Sequence, residues 1–485
     1  MKPMKRIKFV MINPTSPLWR VEPGKRPVQS RYFRFSVLPS LCVAASMPEY
    51  VETTIIDEEL QPIDYNIDAD LVGLTFMTFN APRAYEIADT FRRRGIPVIV
   101  GGYHPTFLPD EAAQHADAVC IGDAEDIVPR LMEDFVAREL KPVYRSASPS
   151  LADLPRLNRT LIRKQDYAPV DALQATRGCL YSCVFCSVAA FHQSRFRTRP
   201  IGEVIDELKK LRTHVLFMDD NIIGDTENAK ELFAAMIPLR KKWYSQCGVE
   251  LANDAELLDL ASRSGCRGLF VGLESLSQAG LGNWMKHSNL KQDYLTAIGT
   301  LHHAGIGICA GFVFGSDEDG PDVFERTLDF LLETNVEVLQ ATRMTPFPGT
   351  PLYDDLDRQG RIFDKDWSHY DFNHVVFQPK HMDPQTLDNG VAWVGTEFYS
   401  KRNIARRLWR SFEYLNPFNA LYSVLPVNVS YRFRKKVDGN VRRGRNFIPS
   451  GKPTTAAALC EMEKGDEAFA KHGNETTSPS PLTAQ

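Results

Sequence analysis

Short apolar runs alternate with amphipathic stretches over the first 140 residues of the chain. The runs that predict β-strands cover 7–12, 53–56, 71–76, 98–100 and 118–121, and helical periodicity is clearest over 82–94 and 127–137. Strands that are almost continuously apolar and separated by helices indicate a parallel, doubly wound, Rossmann-like sheet. Because such sheets bind ligands at the carboxyl ends of their strands, residues 1–140 are predicted to form a ligand-binding domain.

A second series of alternating elements begins near residue 172. The preceding stretch, 141–171, contains four prolines and little periodicity, so it is predicted to be a linker. Strands are then predicted at 173–176, 215–218, 249–252, 268–272, 306–314 and 337–341, with helices at 201–211, 226–242, 255–264 and 294–304. These βα units predict an α/β fold with a partial (β/α)6 TIM-type barrel over 172–350, whose functional residues lie at the carboxyl ends of the strands.

The region 351–450 is irregular and aromatic-rich at first, then helical and strongly basic between 401 and 445. Residues 403–415 predict a basic amphipathic helix, with Ile404, Leu408, Trp409, Phe412 and Leu415 at helical spacing and the arginines mostly elsewhere. Such a helix either lies on an anionic membrane surface or docks on the barrel with its arginines in solvent. The polar segment 451–485 is predicted to be disordered.

Composition and charge argue against several classes of protein. The net charge of −4 and the pI of about 6.3 leave no global basic field, so no nucleic-acid partner is expected. The sequence contains no apolar run of about 18 residues, which a membrane-spanning helix needs. The apolar part of residues 1–14 is too short for a secretion signal, and the odd total of nine cysteines suggests a reducing compartment. We therefore expect a cytoplasmic protein, with peripheral attachment to a membrane surface as an alternative.

Three of the nine cysteines form a cluster, whereas the other six are scattered singly. Cys179, Cys183 and Cys186 have the spacing C-x3-C-x2-C and directly follow the first predicted barrel strand. A structural zinc site would require four protein ligands, and His192 is the nearest candidate for the fourth. A cubane iron-sulfur cluster held by three cysteines would instead leave one iron open for a substrate or cofactor. The lack of a fourth ligand at a standard spacing favours the iron-sulfur cluster.

This motif, with the aromatic Phe185 before its third cysteine, resembles the radical SAM superfamily. The resemblance implies that Cys179, Cys183 and Cys186 are the catalytic metal ligands of a [4Fe-4S] cluster whose open iron binds S-adenosyl-L-methionine. It also implies a one-electron donor such as flavodoxin or ferredoxin, and release of a 5′-deoxyadenosyl radical on reduction. The radical chemistry then belongs to the cofactor, while the protein supplies position and a dry site.

Further motifs stand at the ends of later barrel strands, in the order that the superfamily shows. Asp219 and Asp220 follow the second strand and are expected to accept hydrogen bonds from the ammonium group of the methionine. The resemblance places Glu274 and Ser275, at the end of the fourth strand, near the cofactor or in the barrel lumen. It assigns Gly311 to the fifth-strand motif that approaches the adenine. Each motif also has a purely structural explanation, since aspartates cap helices and glycines mark turns.

Three arginines stand between the cysteine motif and the first predicted barrel helix. Arg195, Arg197 and Arg199 could contact a carboxylate or a phosphate group. At least two of them are expected to be solvated instead, because charged side chains in surface loops usually point into water and form weak ion pairs.

The front domain resembles the cobalamin-binding domain of radical SAM enzymes that use this cofactor. The residues implied to bind cobalamin each follow a predicted strand, and they are Thr75, Gly101, Gly102, His104, Gly122 and Glu125. Glycines let the backbone approach a bulky ligand, and their amides can meet its polar groups. Where the family commonly has Gly-Glu-Gly-Glu, this chain has Asp123 and Ala124 between Gly122 and Glu125.

The chain lacks the motif that supplies an axial histidine ligand to cobalamin in some cobalamin-binding proteins. The D-x-H-x-x-G element, which supplies an axial histidine in cobalamin carriers, does not occur, and His104 stands in another context. The resemblance therefore implies cobalamin without a histidine ligand on its lower face. The alternative is a degenerate domain that binds nothing, because a parallel sheet alone does not prove a ligand.

The combined resemblance covers roughly residues 7–400 and implies a cobalamin-dependent radical SAM enzyme, most often a methyltransferase acting on an unactivated carbon. The subfamily acts on small-molecule, lipid and tetrapyrrole substrates, and radical cyclisation or oxidative rearrangement with the same cofactors is the alternative. A methylthiotransferase-like RNA-modifying enzyme would need clustered cysteines in the front domain, where only Cys42 and Cys120 occur, far apart. A non-catalytic metal-binding protein is the remaining alternative.

Overall fold

Two parallel sheets, one in each predicted α/β domain, organise the chain. The structure, a computed structural model, describes residues 6–35, 37–290, 292–417 and 420–449. The predicted tail 451–485 lies outside the described residues. Within each of these two sheets all strand pairs are parallel, as the continuous apolar runs predict. The predicted fold class is therefore confirmed.

The first sheet has the strand order β2-β1-β3-β4-β5-β6. Its strands are β1 (Ile7–Asn13), β2 (Val51–Asp57), β3 (Leu71–Thr75), β4 (Val98–Gly101), β5 (Ala118–Ile121) and β6 (Val143–Arg145). The helices are α1 (Leu38–Ala45), α2 (Ala81–Arg93), α3 (Tyr103–Phe107), α4 (Pro109–Ala112) and α5 (Val128–Ala137). Helix α2 packs on one face, and α1 and α5 pack on the other. The strand order reverses between β1 and β3, where such sheets open a binding crevice at their carboxyl edge.

The last strand of this sheet lies in the segment predicted to be a linker. β6 pairs in parallel with β5, so Tyr144 is buried whereas Val143 and Arg145 are exposed. The Tyr144 hydroxyl donates a hydrogen bond to Asp134 Oδ2 at 2.8 Å. The sequence pattern misses this strand because three residues provide too few alternating positions to show a period of two.

The second sheet is the predicted partial barrel, with the strand order β7-β10-β11-β12-β13-β14. Its strands are β7 (Asp171–Leu173), β10 (His214–Phe217), β11 (Lys242–Cys247), β12 (Cys266–Glu274), β13 (Gly307–Phe314) and β14 (Val338–Arg343), and β8 (Thr176–Gly178) pairs with β9 (Phe196–Thr198) in a separate antiparallel ribbon. The helices are α6 (Ser187–His192), α7 (Ile201–Leu208), α8 (Thr226–Met236), α9 (Ala255–Ser264), α10 (Gln278–Asn283), α11 (Tyr294–His303) and α12 (Val323–Glu333). Residues of these strands and helices form one continuous core.

The third barrel strand lies earlier in the chain than the pattern predicts. The helix predicted over 226–242 begins at Thr226 as predicted but ends at Met236, and the strand predicted over 249–252 is wrong, because β11 covers Lys242–Cys247. In β11, Trp243, Ser245 and Cys247 are buried, and the residues between them are half-buried. This strand is polar on one face, so a search for continuous apolar runs does not find it.

Among the described residues, the helices after the barrel are α13 (Pro351–Arg358), α14 (Pro384–Phe398), α15 (Lys401–Ser411), α16 (Leu425–Val437) and α17 (Asn440–Gly444). Helix α14 packs against β14 and α12 and so extends the barrel core. Searching the described residues finds no helix with the length and apolarity needed to span a membrane.

The basic helix predicted over 403–415 corresponds to α15, and one of its arginines is buried. The Arg407 guanidinium lies 3.7 Å from the centre of the Phe398 ring and donates hydrogen bonds to Phe398 O and Asn428 Oδ1, at 2.7 and 2.6 Å. Trp409, which the pattern places on the apolar face, is 74% exposed. The prediction is wrong for these two residues because α14 and α16 supply partners for a guanidinium that the helical pattern alone does not show.

Arg406 and Arg407 allow a matched test of this packing. Arg407→Ala should destabilise the protein by about 2–3 kcal/mol, because it removes a buried ring contact and leaves Asn428 Oδ1 unpaired. This corresponds to a fall of about 2–3 °C in the thermal unfolding midpoint of a chain of 485 residues. Arg406→Ala, at an exposed position of the same helix, should leave the midpoint within about 1 °C. Equal midpoints for the two variants in a thermal unfolding experiment would contradict the packing described above.

Candidate active site

The loop that carries the three cysteines begins directly after β8 and ends at α6. Gly178 has φ +86°, and a Cβ at this position would lie 2.0 Å from Arg195 O, so the turn into the loop requires glycine. Cys186 is the N-cap residue of α6, and the nearby backbone amides of Ala189 and Val188 lower the pKa of its thiol against the larger effect of burial. The strand, the glycine turn and the helix start therefore fix both ends of the loop.

The three thiols lie close enough to influence one another electrostatically. Burial raises the pKa of all three, and that of Cys183 to about 12. The Lys286 ammonium opposes this rise at each of the three sulfurs. A buried thiol is a poor metal ligand while it is protonated, so a cation beside three thiols favours the thiolate state that iron requires.

Lys286 pairs with Glu274 and was not predicted from the sequence. Its Nζ lies 3.3 Å from Glu274 Oε1, and both side chains are largely buried. Burial opposes the charge of Lys286, but Glu274 and the thiol of Cys183 together raise its pKa above the ordinary value. Nothing in the local sequence marks this lysine, because only the fold brings the segment after α10 next to the cysteine loop.

Glu274 and Ser275 lie at the end of β12, as predicted, in an unusual backbone conformation. Glu274 has φ +67°, and the pairing of β12 with β13 shifts register between Gly272 and Glu274. The glutamate folds back over Gly272, where a Cβ would lie 2.2 Å from Glu274 Oε1. Ser275 is buried, and its hydroxyl accepts a hydrogen bond from the Ser277 amide at 3.0 Å. Glu274 therefore lies near the cysteine loop, whereas the Ser275 side chain supports the local turn.

Asp219 and Asp220 anchor the backbone that leads into the cysteine loop. Asp219 is fully buried and accepts hydrogen bonds from the amides of Ala175 and Thr176, at 2.9 and 3.0 Å, and from the Thr176 hydroxyl. Asp220 Oδ2 accepts a hydrogen bond from the Gly178 amide at 2.8 Å. Burial raises the pKa of Asp219 to about 7 despite these donors. The structure thus gives both aspartates a supporting role, and the contact with the methionine ammonium stays a prediction.

A small cavity of about 150 Å³, with a mixed polar and apolar lining, opens beside the cysteine loop. Its lining includes Leu180, Tyr181, Asn221 and Glu250. The Tyr181 hydroxyl donates a hydrogen bond to Glu250 Oε1 at 2.9 Å, which connects the loop to the segment after β11. Among the described residues, Glu250 Oε2 is buried without a hydrogen-bond partner. The carboxylate of Glu250 therefore lies between the cavity wall and the cysteine loop, with one oxygen bound to Tyr181.

The predicted cobalamin residues Thr75, Gly101, Gly102 and Gly122 share the carboxyl edge of the first sheet. Thr75 and Gly101 are register partners on β3 and β4. Gly102 has φ +102°, and a Cβ there would lie 2.8 Å from Phe76 O. Gly122 has φ +93° and donates its amide hydrogen bond to Thr106 Oγ1. The residues are assembled at one edge as predicted, and their contacts with a ligand stay a prediction.

His104 and Glu125 engage other protein groups at this edge. His104 is fully buried, and its Nε2 lies 3.1 Å from Tyr85 Oη and 3.2 Å from Glu111 Oε1, while its Nδ1 has no hydrogen-bond partner in the described part of the chain. Glu125 forms a bidentate pair with Arg177, which lies two residues before Cys179. Cobalamin contacts of His104 and Glu125 stay predictions, but the Arg177 pair is a contact that the sequence pattern does not reveal.

The carboxyl edges of the two sheets meet next to the cysteine loop. The Tyr103 ring on α3 lies 4.6 Å from the Phe191 ring on α6, between ring centres. Gly349, after β14, packs so tightly on Phe107 of α3 that a Cβ would lie 2.4 Å from its ring. A ligand at the first sheet and a ligand at the cysteine loop would therefore be neighbours.

Comparisons with known proteins agree with this arrangement of two adjoining sites. The family description "B12 binding domain" matches residues 40–132, and "Radical SAM superfamily" matches residues 173–331. Bacteriochlorophyllide d C-12(1)-methyltransferase of Chlorobaculum tepidum is 32% identical over 385 residues, which is 76% of this chain and 83% of that protein. This chain belongs to the cobalamin-binding radical SAM enzymes.

Other members of the family show the same organisation at lower identity. Bacteriochlorophyllide d C-8(2)-methyltransferase of the same organism is 28% identical over 73% of this chain and 83% of its own length. Hopanoid methylases and anaerobic magnesium-protoporphyrin IX monomethyl ester cyclases are 24% to 26% identical. The methyltransferase TsrM from Kitasatospora setae, solved with cobalamin and a [4Fe-4S] cluster, shares the fold with a TM-score of 0.61 at 15% identity, covering 90% of this chain and 99% of that one.

The site residues fit the cofactors of a cobalamin-binding radical SAM enzyme. Three thiols with a nearby ammonium match the donor set and the negative charge of a [4Fe-4S] cluster with one open iron. His192, the candidate fourth zinc ligand, faces Arg197 and Asp220, and burial lowers its pKa to about 4. The chain is therefore an enzyme that uses a [4Fe-4S] cluster, S-adenosyl-L-methionine and cobalamin.

The expectation that at least two of Arg195, Arg197 and Arg199 are solvated is wrong. Only Arg195 is exposed, whereas Arg197 pairs with Asp123 at 2.7 Å and Arg199 with Glu207 at 2.8 Å. Both arginine side chains are less than 15% exposed. The pattern of the segment is that of a charged loop, and only the fold shows that carboxylates of other segments surround it.

Replacing one cluster cysteine tests the assignment of the metal ligands. Cys183→Ala should abolish cluster binding, because the remaining two thiols cannot hold the cubane. After anaerobic reconstitution, the wild-type protein should contain about 4 iron and 4 sulfide ions per chain and the variant close to none. The control is Cys266→Ala, which removes a buried thiol at the first residue of β12, the opposite end of the strand from Glu274. Full iron content in the Cys183 variant would refute the assignment.

Proposed function

We propose that this enzyme transfers a methyl group to an unactivated carbon of a tetrapyrrole. The observation that carries the proposal is the juxtaposition of the cysteine loop with the carboxyl edge of the cobalamin domain through the contact of α3 with α6. Methylation of carbon with cobalamin requires the two cofactors to share one site. The most similar relatives named above are bacteriochlorophyllide methyltransferases, which supports methyl transfer over cyclisation.

The residues of the chain contribute binding, orientation and exclusion of water. Cys179, Cys183 and Cys186 hold the cluster, and Lys286 with Glu274 places a buried ion pair beside it. When bound, the cluster with S-adenosyl-L-methionine supplies radical initiation and cobalamin supplies methyl transfer, with electrons from a donor of the flavodoxin or ferredoxin class. Burial of the thiols and the packing of Tyr103 on Phe191 keep water from this region, which protects radical chemistry from side reactions.

The inner surface of the barrel supports a flat, largely apolar substrate. Leu269, Val271 and Leu273 of β12 pack into the helix-facing core, so the alternate residues face the interior. These residues include Gly268 and Gly272, whose register partners on β13 are also glycines, Gly307 and Gly311. Glycines at these positions leave room inside the barrel, and the Glu274 carboxylate occupies the part of it beside Gly272.

Two aromatic rings use part of this room. A Cβ at Gly311 would lie 2.7 Å from the Phe270 ring, and a Cβ at Gly268 would lie 3.2 Å from the Tyr244 ring. Inside the barrel, the Phe270 and Tyr244 rings therefore pack directly on the glycine backbone of β13 and β12. Aromatic side chains on a backbone floor offer stacking surface to a planar macrocycle. Gly311, predicted to approach the adenine, belongs to this same surface.

Labelled methyl transfer tests the proposed reaction. The anaerobically reconstituted enzyme, with cobalamin and a reductant, is incubated with bacteriochlorophyllide d and S-adenosyl-L-methionine labelled in its methyl group. We expect the label in a carbon-bound methyl group by mass spectrometry and loss of product in Cys183→Ala. A modified product without label would identify a cyclase or an oxidative enzyme. Label in a hopanoid substrate but not in the tetrapyrrole would overturn the substrate class and leave methyl transfer intact.

We further propose that α15 contacts an anionic membrane surface. The helix docks on the barrel through its buried face, as one of the two sequence alternatives states, but its outer stripe is not purely polar. Arg402, Arg406 and Trp409 share this stripe and are exposed, and Phe412 continues it. Arginines beside an exposed tryptophan are the combination that binds at the interface of anionic lipid.

Vesicle sedimentation tests this membrane contact. The protein should sediment with vesicles of phosphatidylcholine and phosphatidylglycerol, and weakly with phosphatidylcholine alone, because arginines attract anionic headgroups. Trp409→Ser and high salt should each reduce binding several-fold. Phe363→Ser is the matched control, because it removes an exposed aromatic side chain that lies outside α15. This variant should bind like the wild type. Binding that is independent of Trp409 would refute the contact.

A further inference from the structure

A buried group of four charges links the cobalamin domain to the cysteine loop. It consists of Asp123 and Glu125, which follow β5, and of Arg177 and Arg197, which are register partners in the β8–β9 ribbon. The four side chains are between 8% and 13% exposed. Two positive and two negative charges balance, which is the condition for burying such a group.

The hydrogen bonds of Arg177 give this group a fixed geometry. Nη1 and Nη2 donate to the two oxygens of Glu125, at 3.0 and 2.5 Å, and Nη1 also donates to Asp123 Oδ1 at 3.3 Å. Nε donates to Gln174 Oε1 at 2.8 Å. A bidentate arginine–carboxylate pair is directional, so it fixes orientation as well as distance. A lysine could keep the charge but not this fork.

Each side of the group is attached closely to a cofactor loop. Asp123 directly follows Gly122, the glycine turn at the cobalamin edge, and Arg177 lies two residues before Cys179. Gly178, which lies between Arg177 and Cys179, donates its amide hydrogen bond to Asp220 and has no space for a side chain. The backbone between Arg177 and the first cysteine is therefore short and fixed. The ion pair thus joins the two loops with only one residue between Arg177 and the first cysteine.

The second arginine reaches the other end of the cysteine loop. Arg197 Nη1 lies 2.7 Å from Asp123 Oδ2, and its Nη2 lies 3.2 Å from His192 Nδ1. His192 is the last residue of α6, the short helix that starts at the third cysteine. The four-charge group thus contacts segments on both sides of the three cysteines.

We propose that Arg177 is a positioning residue that couples cobalamin binding to the geometry of the cluster site. The bidentate pair holds the loop 122–125 against the stem of the cysteine loop, so that each cofactor binds best when the other loop is already in place. Coupling of this kind is reciprocal, so cobalamin should change the affinity of the site for the cluster by the same factor by which the cluster changes the affinity for cobalamin. The inference rests on the proposed function only through the two cofactors, and its test measures binding rather than turnover.

The experiment measures the affinity of the full-length protein for hydroxocobalamin by equilibrium dialysis, before and after anaerobic reconstitution of the cluster. In the wild type, the cluster should tighten cobalamin binding about fivefold or more, the lower end of typical coupling between sites. Arg177→Gln and Glu125→Gln should bring this ratio close to one, and Arg177→Lys should retain only part of it. The double variant should be no worse than the single variants, because both remove the same interaction.

A spectroscopic signature of the cluster supplies the reciprocal readout. With enough reductant present to keep both cofactors reduced, the EPR signal of the cluster should change on cobalamin addition in the wild type and remain unchanged in Arg177→Gln and Glu125→Gln. The matched control is Arg212→Gln, which breaks another arginine–carboxylate pair, with Asp171 at the start of β7, and should keep the wild-type ratio and spectral change.

Defined results separate failure of this inference from failure of the proposed function. A wild-type ratio of one, or an unchanged ratio in folded Arg177→Gln, would overturn the coupling and leave the enzyme assignment intact. If Arg177→Gln does not fold, Glu125→Gln and Arg177→Lys decide the outcome by the same ratio. Failure of the wild type to bind cobalamin at all would overturn both the coupling and the proposed cobalamin-dependent reaction.

Discussion

The position of the three cysteines depends on two aspartates at the end of β10. Asp219 and Asp220 accept hydrogen bonds from the backbone of residues 175–178, the stem of the cysteine loop. A buried carboxylate without donors would be costly, and burial does raise the pKa of Asp219 to about 7. The backbone amides that offset this cost are the same groups that must be fixed to aim the thiols. The same hydrogen bonds thus stabilise the buried carboxylates and fix the backbone of the loop stem.

The remaining electrostatics of the site follow from this anchored loop. Once the thiols are buried together, the site requires positive charge to favour their thiolate form, and Lys286 supplies it. Glu274 then balances Lys286, and its left-handed backbone lets the carboxylate fold back beside the lysine. On the cobalamin side, Arg177 and Arg197 neutralise the buried carboxylates of Glu125 and Asp123 in the same way. The boundary between the domains is therefore charged but closely paired.

Sequence reasoning succeeded where a signal is local and failed where partners come from distant segments. Five of the six strands of the first domain and most of the barrel were predicted because buried parallel strands are continuous apolar runs. β11 was misplaced because one of its faces is polar. Arg197, Arg199 and Arg407 look like solvated arginines in the sequence, yet each finds buried partners on another element. Asp219 and Asp220 were located correctly, but their hydrogen bonds to residues 175–178 could not be inferred from spacing.

By itself the sequence determined the α/β architecture and the family, and it supplied three cysteines as the predicted cluster ligands. Periodicity is a property of neighbouring residues, and the three cysteines lie within one loop, so their spacing already limits what they can bind. Only the tertiary structure decided that Lys286 stands beside the thiols, that Glu125 pairs with Arg177, and that the two cofactor edges face each other. These contacts join residues far apart in the chain, and the burial that makes their charges strong arises only when the domains pack.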